Sequence, residues 1–171
     1  GHESKAISSL QLKYFEDLFC FYENVSDEIN KKLDVRIYPK GDYGWEQEKR
    51  WRDKFPSINI DYGEKSLSNE ASKCRLFISS YNATTYLEGL AANIPTIIFW
   101  DINLWEIPEE CKEDFKDLKN VGIFYTDPKS AALKINDIWD HVNLWWSNIE
   151  LQEVRKRFCK KYADKEKNQI K

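Results

Sequence analysis

The chain lacks an excess of positive charge and a long apolar run. Its 26 Lys and Arg residues against 29 Asp and Glu give a formal net charge of -3, which excludes a globally basic surface for nucleic acid. No stretch reaches the roughly 20 apolar residues that a membrane-spanning helix needs. We therefore expect a cytoplasmic protein without a nucleic-acid partner.

Histidine and cysteine are too few and too scattered for a metal centre or a catalytic triad. His2 lies at the start of the chain and His141 stands alone at the end of a predicted helix. The four cysteines show neither a CxxC pair nor zinc-ligand spacing, so reduced structural thiols are expected. The sequence therefore predicts no metal and no histidine-dependent nucleophile.

The two ends of the chain are expected to lie outside the folded domain. Residues 1–5 begin with Gly-His instead of Met, which is typical of a protease cleavage scar and would make the chain a fragment. Residues 6–163 are of a size and composition for one domain with a single core, and 164–171 are expected to be a frayed tail.

Strand and helix patterns alternate along that domain. Strands are predicted over 34–39, 57–62, 75–79, 96–100 and 122–125, and helices over 7–33, 45–55, 67–73, 82–92, 109–118, 127–138 and 144–162. The segment 7–33 is either one long helix or two helices with a break near 26–28. The near-continuous apolar character of 96–100 is typical of a strand that helices cover on both faces. The predicted fold class is α/β, a Rossmann-like parallel sheet of about five strands with helices on both faces. The first helix is assigned to packing.

The turn after the third predicted strand is the strongest candidate for a binding site. In an open α/β sheet, ligands bind beyond the carboxyl ends of the strands, where Ser79 and Ser80 stand. The helix predicted to begin at Asn82 has free N–H groups in its first turn, which attract phosphate. Thr84 and Thr85 add hydroxyl donors there.

Glu88 extends this candidate along the helix. It stands four residues after Thr84, hence on the same face, and six after Asn82, which is roughly 9 Å along the axis. That is about the reach from the phosphate of a nucleotide to its ribose, whose diol a carboxylate can bind with two hydrogen bonds. The structural alternative is that Ser and Asn cap the helix while Glu88 is solvated. The residues alone leave both readings open.

Residues 86–98, Tyr-Leu-Glu-Gly-Leu-Ala-Ala-Asn-Ile-Pro-Thr-Ile-Ile, resemble the helix, proline and strand of GT-B glycosyltransferases. The pattern there is Leu-Glu-Ala-Leu-Ala, two variable residues, Pro and a β-branched run, and its Glu binds the donor ribose. A wider pattern over roughly 35–162 is similar to a family of bacterial transferases for surface carbohydrates. The resemblance implies the C-terminal, donor-binding half of a GT-B enzyme of surface polysaccharide or lipopolysaccharide biosynthesis.

The resemblance also implies the ligands of such an enzyme. They are a UDP- or CMP-linked sugar as donor substrate, a glycan or glycolipid acceptor, and no separate cofactor. The general base would lie on an N-terminal domain of the same protein, so no catalytic residue is assigned and the fragment is expected to be inactive alone. Retaining members often carry another Glu eight positions before the ribose Glu. Ser80 stands there, which favours an inverting, metal-independent enzyme.

Four further residues are candidates for donor contacts. Arg36 lies inside the first predicted strand and Lys40 follows it. Both could neutralise phosphate, although a structural ion pair of Arg36 with Asp42 or Asp61 is equally open. Trp100 and Asp101 follow the fourth strand and could contact the sugar or base, with buried packing as the alternative for the tryptophan.

Two other functions remain open from the sequence, namely a non-catalytic Rossmann-like nucleotide-binding or interaction domain and half of a sugar-nucleotide epimerase. An epimerase needs acid and base residues near the point where the strand order reverses, and none stands out. Peripheral contact with the inner membrane is a further alternative to a solvated face for the basic residues of the last helix, Arg155, Lys156, Arg157, Lys160 and Lys161.

Overall fold

The computed structural model describes residues 10–37 and 45–163, with only the backbone of Ser68. Within these residues the strands are β1 (Asp34–Arg36), β2 (Asn59–Asp61), β3 (Phe77–Ser79), β4 (Thr96–Phe99) and β5 (Phe124–Tyr125). The helices are α1 (Gln11–Asn24), α2 (Asp27–Asn30), α3 (Gln47–Lys54), α4 (Leu67–Ala71), α5 (Thr84–Ala91), α6 (Lys112–Asn120), α7 (Pro128–Ile138), α8 (Val142–Trp146) and α9 (Ile149–Tyr162). The terminal segments predicted at 1–5 and 164–171 lie outside the described residues.

The predicted α/β class with parallel strands is confirmed, but the five strands lie in two sheets. β1 pairs with β2, and β3, β4 and β5 form a second sheet in that order, with every pair parallel. A cavity of about 760 Å³ separates the sheets, and it is lined by Val35 of β1 and Phe77 of β3. The periodicity of single strands predicts their burial, whereas the division of the five strands into two sheets depends on contacts between segments distant in sequence.

The strand β4 is the centre of the core because helices cover both of its faces. Ile97 and Phe99 point into a cluster with residues of α1 and α7, such as Phe21 and Ile135. Ile98 and Trp100 point into a second cluster, which residues of α5, α6 and α9 complete. All four residues of β4 are buried, which confirms the reading of this run as a strand enclosed on both sides.

Two helix starts follow from their capping residues. Asp127 accepts a hydrogen bond from the Ser130 amide at 2.8 Å, and Pro128 occupies the first helical position of α7. Asn148 accepts one from the Leu151 amide at 3.1 Å, which starts α9 and divides the helix predicted over 144–162 into α8 and α9. Among the described residues, no helix is long and apolar enough to cross a membrane.

Gly89 brings α5 into close contact with the sheet. A Cβ atom added at this position would lie 2.9 Å from Cδ1 of Phe77 and 3.0 Å from Oγ1 of Thr96. Phe77 and Thr96 are partners in the β3–β4 pair, so the helix lies directly on two adjacent strands. The distance between α5 and the sheet therefore depends on the absence of a side chain at Gly89.

We expect Gly89→Ala to lower the free energy of unfolding by about 1 to 2 kcal/mol. Overpacking should cost about 2–3 kcal/mol here, the upper part of the usual range, because both contacts are at or below 3.0 Å. The better helix propensity of alanine returns about 1 kcal/mol of this cost. Urea unfolding followed by circular dichroism measures the difference, with Lys129→Ala, an exposed position on α7, as the control. A Gly89→Ala variant as stable as the wild type would contradict the close contact.

Candidate functional site

The carboxyl ends of β3 and β4 form the edge at which the sequence places the candidate site. Ser79 is 3% exposed, and its hydroxyl donates to the backbone oxygen of Tyr81 at 3.4 Å. The hydroxyl of Ser80 lies 2.9 Å from that of Tyr14 on α1. Both serine hydroxyls therefore have partners within the protein, and the Ser80 pair joins α1 to this edge.

The helix α5 begins two residues later than predicted. Thr84 is its first residue, and Ala83 occupies the N-cap position in an extended conformation without a side-chain cap. Asn82 lies before the cap, and its side-chain oxygen accepts a hydrogen bond of 3.4 Å from the hydroxyl of Tyr86. Alanine is among the poorest N-cap residues because it offers no acceptor, so no side-chain cap satisfies the first-turn N–H groups of α5.

Thr84 and Glu88 form the exposed face of this helix. Both side chains are exposed, whereas Thr85 is half-buried. Glu88 makes no ion pair or side-chain hydrogen bond to any residue that the structure describes. With the helix starting at Thr84, the axial distance to Glu88 is about 6 Å. A phosphate oxygen bound about 3 Å beyond the first N–H would lie about 9 Å from Glu88 along the axis, which is the phosphate-to-ribose reach expected from the sequence.

The other end of α5 is fixed by α8 and α9. Arg155 is 7% exposed and donates from Nη1 to the backbone oxygen of Leu90 at 2.6 Å. The indole N–H of Trp146 donates to Asn93, at 3.1 Å to its backbone oxygen and 3.0 Å to its side-chain oxygen. Asn93 has a φ of 57°, the left-handed conformation common just after a helix. These contacts orient α5, and with it the exposed face that carries Glu88.

Arg36 adopts the structural alternative left open by the sequence. Its Nη1 atom lies 3.0 Å from Oδ2 of Asp61, and Nη2 donates to the backbone oxygen of Lys65 at 2.6 Å. The other candidates near this strand, Lys40 and Asp42, lie outside the described residues. The guanidinium of Arg36 is therefore already engaged by protein acceptors.

Trp100 and Asp101 occupy different environments despite being neighbours. Trp100 is 1% exposed and packs in the core, with its ring centroid 4.7 Å from that of Phe124. It therefore adopts buried packing, the alternative to a sugar or base contact. Asp101 is half-buried, and its Oδ1 atom accepts from both the backbone and the side-chain nitrogen of Asn103 at 2.8 Å. Of these two residues, the aspartate is the one placed at the edge.

Sequence reasoning missed the polar residues that α1 brings to the same edge. Lys13 hydrogen-bonds to Oδ1 of Asp17, whereas Oδ2 of Asp17 is buried without a hydrogen-bond partner in the part of the chain that is described. Burial raises the pKa of Asp17, and the neighbouring carboxylates of Asp101 and Glu16 raise it further, while Lys13 lowers it. Burial also raises the pKa of Tyr14.

The missed signal was an acidic residue within an apolar stripe. Asp17 stands three residues after Tyr14 and four before Phe21, which places all three on one face of α1. A carboxylate at such a position is costly without a partner, so it is more often functional or paired than solvated. The helix predicted for packing therefore also carries a buried carboxylate.

The basic residues of α9 do not share one surface. Arg155 is buried, Arg157 lies 2.6 Å from Oδ2 of Asp117, and Lys161 lies 2.6 Å from Oδ2 of Asp114. Lys156 and Lys160 are exposed. Three of the five basic side chains are thus buried or paired with carboxylates of the domain. Peripheral membrane contact stays a prediction from the sequence.

Among the described residues, no group of three or more His, Cys, Asp or Glu side chains could hold a metal ion.

Comparison with known proteins identifies a family for the chain. Neither the curated proteins nor the solved structures give a match. A family model for the LIC12162 family transferases matches residues 2–171. The chain therefore belongs to the LIC12162 family of transferases.

Proposed function

We propose that this transferase chain binds the nucleotide of a nucleotide-sugar donor in a glycosyltransferase of bacterial surface carbohydrate biosynthesis. The observation that carries the proposal is the exposed face of α5. There a helix start without a side-chain cap and a Glu88 without a partner among the described residues lie on one side of one helix. An uncapped start attracts phosphate, and a free carboxylate suits a ribose diol. The match to a transferase family supports the reaction class.

In this proposal the first turn of α5 binds the diphosphate or phosphate and the hydroxyl of Thr84 donates to it. Negative charge grows on the nucleotide as the glycosidic bond breaks, and fixed N–H dipoles stabilise that charge without rearrangement. No metal is required for this step. Arg36 has no part in it because Asp61 and the backbone of Lys65 already occupy its guanidinium.

The proposed reaction is inverting, because Ser80 stands where retaining relatives of the GT-B pattern carry a second Glu. The hydroxyl of Ser80 pairs with Tyr14 and cannot replace a carboxylate as a charged contact to the donor sugar. We assign the general base and the glycan or glycolipid acceptor to another domain of the enzyme. The isolated chain should then bind the donor without turning it over.

Ala83→Asp tests the phosphate site with two effects of opposite sign. An aspartate at the N-cap should stabilise the fold by about 0.5–2 kcal/mol, because its carboxylate accepts from the first-turn N–H groups. The same carboxylate would occupy and repel the phosphate site, so UDP and CMP should bind about tenfold or more weakly than to the wild type. Calorimetric titration measures affinity and urea unfolding measures stability.

Uridine and cytidine serve as phosphate-free controls in the same titrations. Their weaker binding should be unchanged in Ala83→Asp, because the variant alters only the phosphate end of the site. Wild-type chain that binds neither UDP nor CMP would overturn the proposed function and favour an interaction domain. Nucleotide binding that Ala83→Asp leaves intact would place the phosphate elsewhere.

A further inference from the structure

Side chains of α1 and of the loops after β3 and β4 form a second surface at the carboxyl edge, which we call the α1 patch. Its members share an aromatic or charged side chain next to the Tyr14–Ser80 hydrogen bond, namely Lys13, Tyr14, Asp17, Tyr81, Asp101 and Trp105. Nothing in the proposed binding of the nucleotide uses these residues. Their chemistry therefore points to a different part of the ligand.

The aromatic half of the α1 patch consists of three half-buried rings. Trp105 packs edge-on against Tyr14 with centroids 5.3 Å apart, and its centroid lies 6.4 Å from that of Tyr81. Half-buried aromatic rings offer a rigid apolar surface with a polar rim. The C–H face of a sugar ring is a suitable partner for such a surface.

The polar half of the α1 patch contains the donors and acceptors that hydroxyl groups need. Lys13 has a side chain that is 47% exposed, and Asp101 is half-buried at the rim. Asp17 is 7% exposed, and its Oδ2 atom has no partner within the described residues. A buried acceptor without a partner is rare in folded proteins, and a ligand hydroxyl would supply the missing donor.

Charge decides which sugars suit the α1 patch. The carboxylates of Glu16, Asp17 and Asp101 all act electrostatically on the ammonium of Lys13, so three formal negative charges meet one positive charge among the described groups that interact there. An acidic sugar would bring another carboxylate into this field at an energetic cost. A neutral sugar meets no such repulsion, and an amino sugar is attracted.

We propose that the α1 patch binds the ring of a neutral or amino sugar and excludes acidic sugars by charge. This inference rests on the proposed function, because it places the sugar at the edge where α5 holds the nucleotide. It decides between the two donor classes that the sequence left open, since the sugar of a CMP-linked ulosonic acid carries a carboxylate. The sugar could belong to the donor or to the acceptor, because both carry hydroxyl groups.

Calorimetric titration with matched sugar pairs tests the inference on the 171-residue chain. UDP-glucose and UDP-galactose should bind more tightly than UDP, and about fivefold or more tightly than UDP-glucuronate and UDP-galacturonate, a ratio that corresponds to about 1 kcal/mol. CMP-N-acetylneuraminate should bind no better than CMP. Raising the salt concentration should reduce the preference for neutral sugars, because the field is partly exposed.

The double substitution Asp17→Asn with Asp101→Asn should bring the neutral-to-acidic ratio close to one. Asp53→Asn, an exposed carboxylate on α3, should leave that ratio unchanged. If the double variant does not fold, the salt dependence of the wild type gives the same test. Acidic conjugates that bind as tightly as their neutral partners would overturn the inference.

The remaining outcomes separate this inference from the proposed function. If UDP-sugars bind no more tightly than UDP and methyl glucoside does not bind the chain, the sugar-binding role of the α1 patch is overturned and the nucleotide site is left intact. Methyl glucoside binding, read from tryptophan fluorescence and absent for glucuronate, supports the inference with the sugar as acceptor. That result without nucleotide binding would overturn only the proposed function. Binding of neither nucleotide nor sugar would overturn both.

Discussion

Glu88→Gln should weaken UDP or CMP binding by about tenfold to a hundredfold while leaving the stability of the fold unchanged. The carboxylate can accept from both ribose hydroxyls, whereas the amide of glutamine offers one acceptor and one donor group of the same size. A hydrogen bond to a charged group contributes about 1.5–3 kcal/mol, which sets the range. Stability should not change because Glu88 is exposed and unpaired among the described residues.

A ribose analogue makes this prediction specific to the hydroxyls. The wild type should bind 2′,3′-dideoxy-UDP more weakly than UDP. Glu88→Gln should bind the dideoxy analogue as well as the wild type does, because the hydrogen bonds between residue 88 and the ribose hydroxyls are already absent. Glu153→Gln, an exposed glutamate on α9, is the control and should bind UDP like the wild type. Equal losses for UDP and its dideoxy analogue in Glu88→Gln would contradict the ribose assignment.

Arg155→Met should lower the free energy of unfolding by about 1.5–3 kcal/mol. Methionine keeps much of the apolar stem and removes the guanidinium, which donates to Leu90 at 2.6 Å and to the side chain of Gln152 at 3.0 Å. Charge-assisted hydrogen bonds at a buried position have this magnitude. Urea unfolding followed by circular dichroism gives the measurement.

Arg157→Met is the matched control on the same helix. Its guanidinium pairs with Asp117, but its side chain is 58% exposed, so the loss should stay below about 1 kcal/mol. Arg155→Met should also weaken nucleotide binding, because α9 then holds the end of α5 less firmly. Equal stability of the two variants would show that Arg155 does not anchor α5.

The helix α5 connects these predictions, because the fold fixes its position at two places. Gly89 sets its distance from β3 and β4, and Arg155 fixes its C-terminal end. Its N-terminal end carries no side-chain cap. A helix held by the core and left unsatisfied at one end is suited to bind a ligand there, since the ligand can complete the cap.

Local patterns predicted the residues whose roles depend on near neighbours in the sequence. The apolar run at β4 predicted a strand covered on both faces, because four consecutive buried residues need partners on each side. Asp127 and Pro128 predicted the start of α7 in the same way, because a cap acts within one turn. The start of α5 was misplaced because Asn82, a common cap residue, hydrogen-bonds to Tyr86 instead.

The sequence by itself determined the α/β class, the order of strands and helices, and the transferase resemblance, since all three depend on periodicity and short motifs. Only the tertiary structure placed α1 at the carboxyl edge, where Tyr14 meets Ser80 across 66 positions of sequence. It likewise engaged Arg36 with Asp61 and buried Asp17 with one oxygen that has no partner in the described part of the chain. Contacts between distant segments are set by how whole elements pack, and no local pattern records that packing.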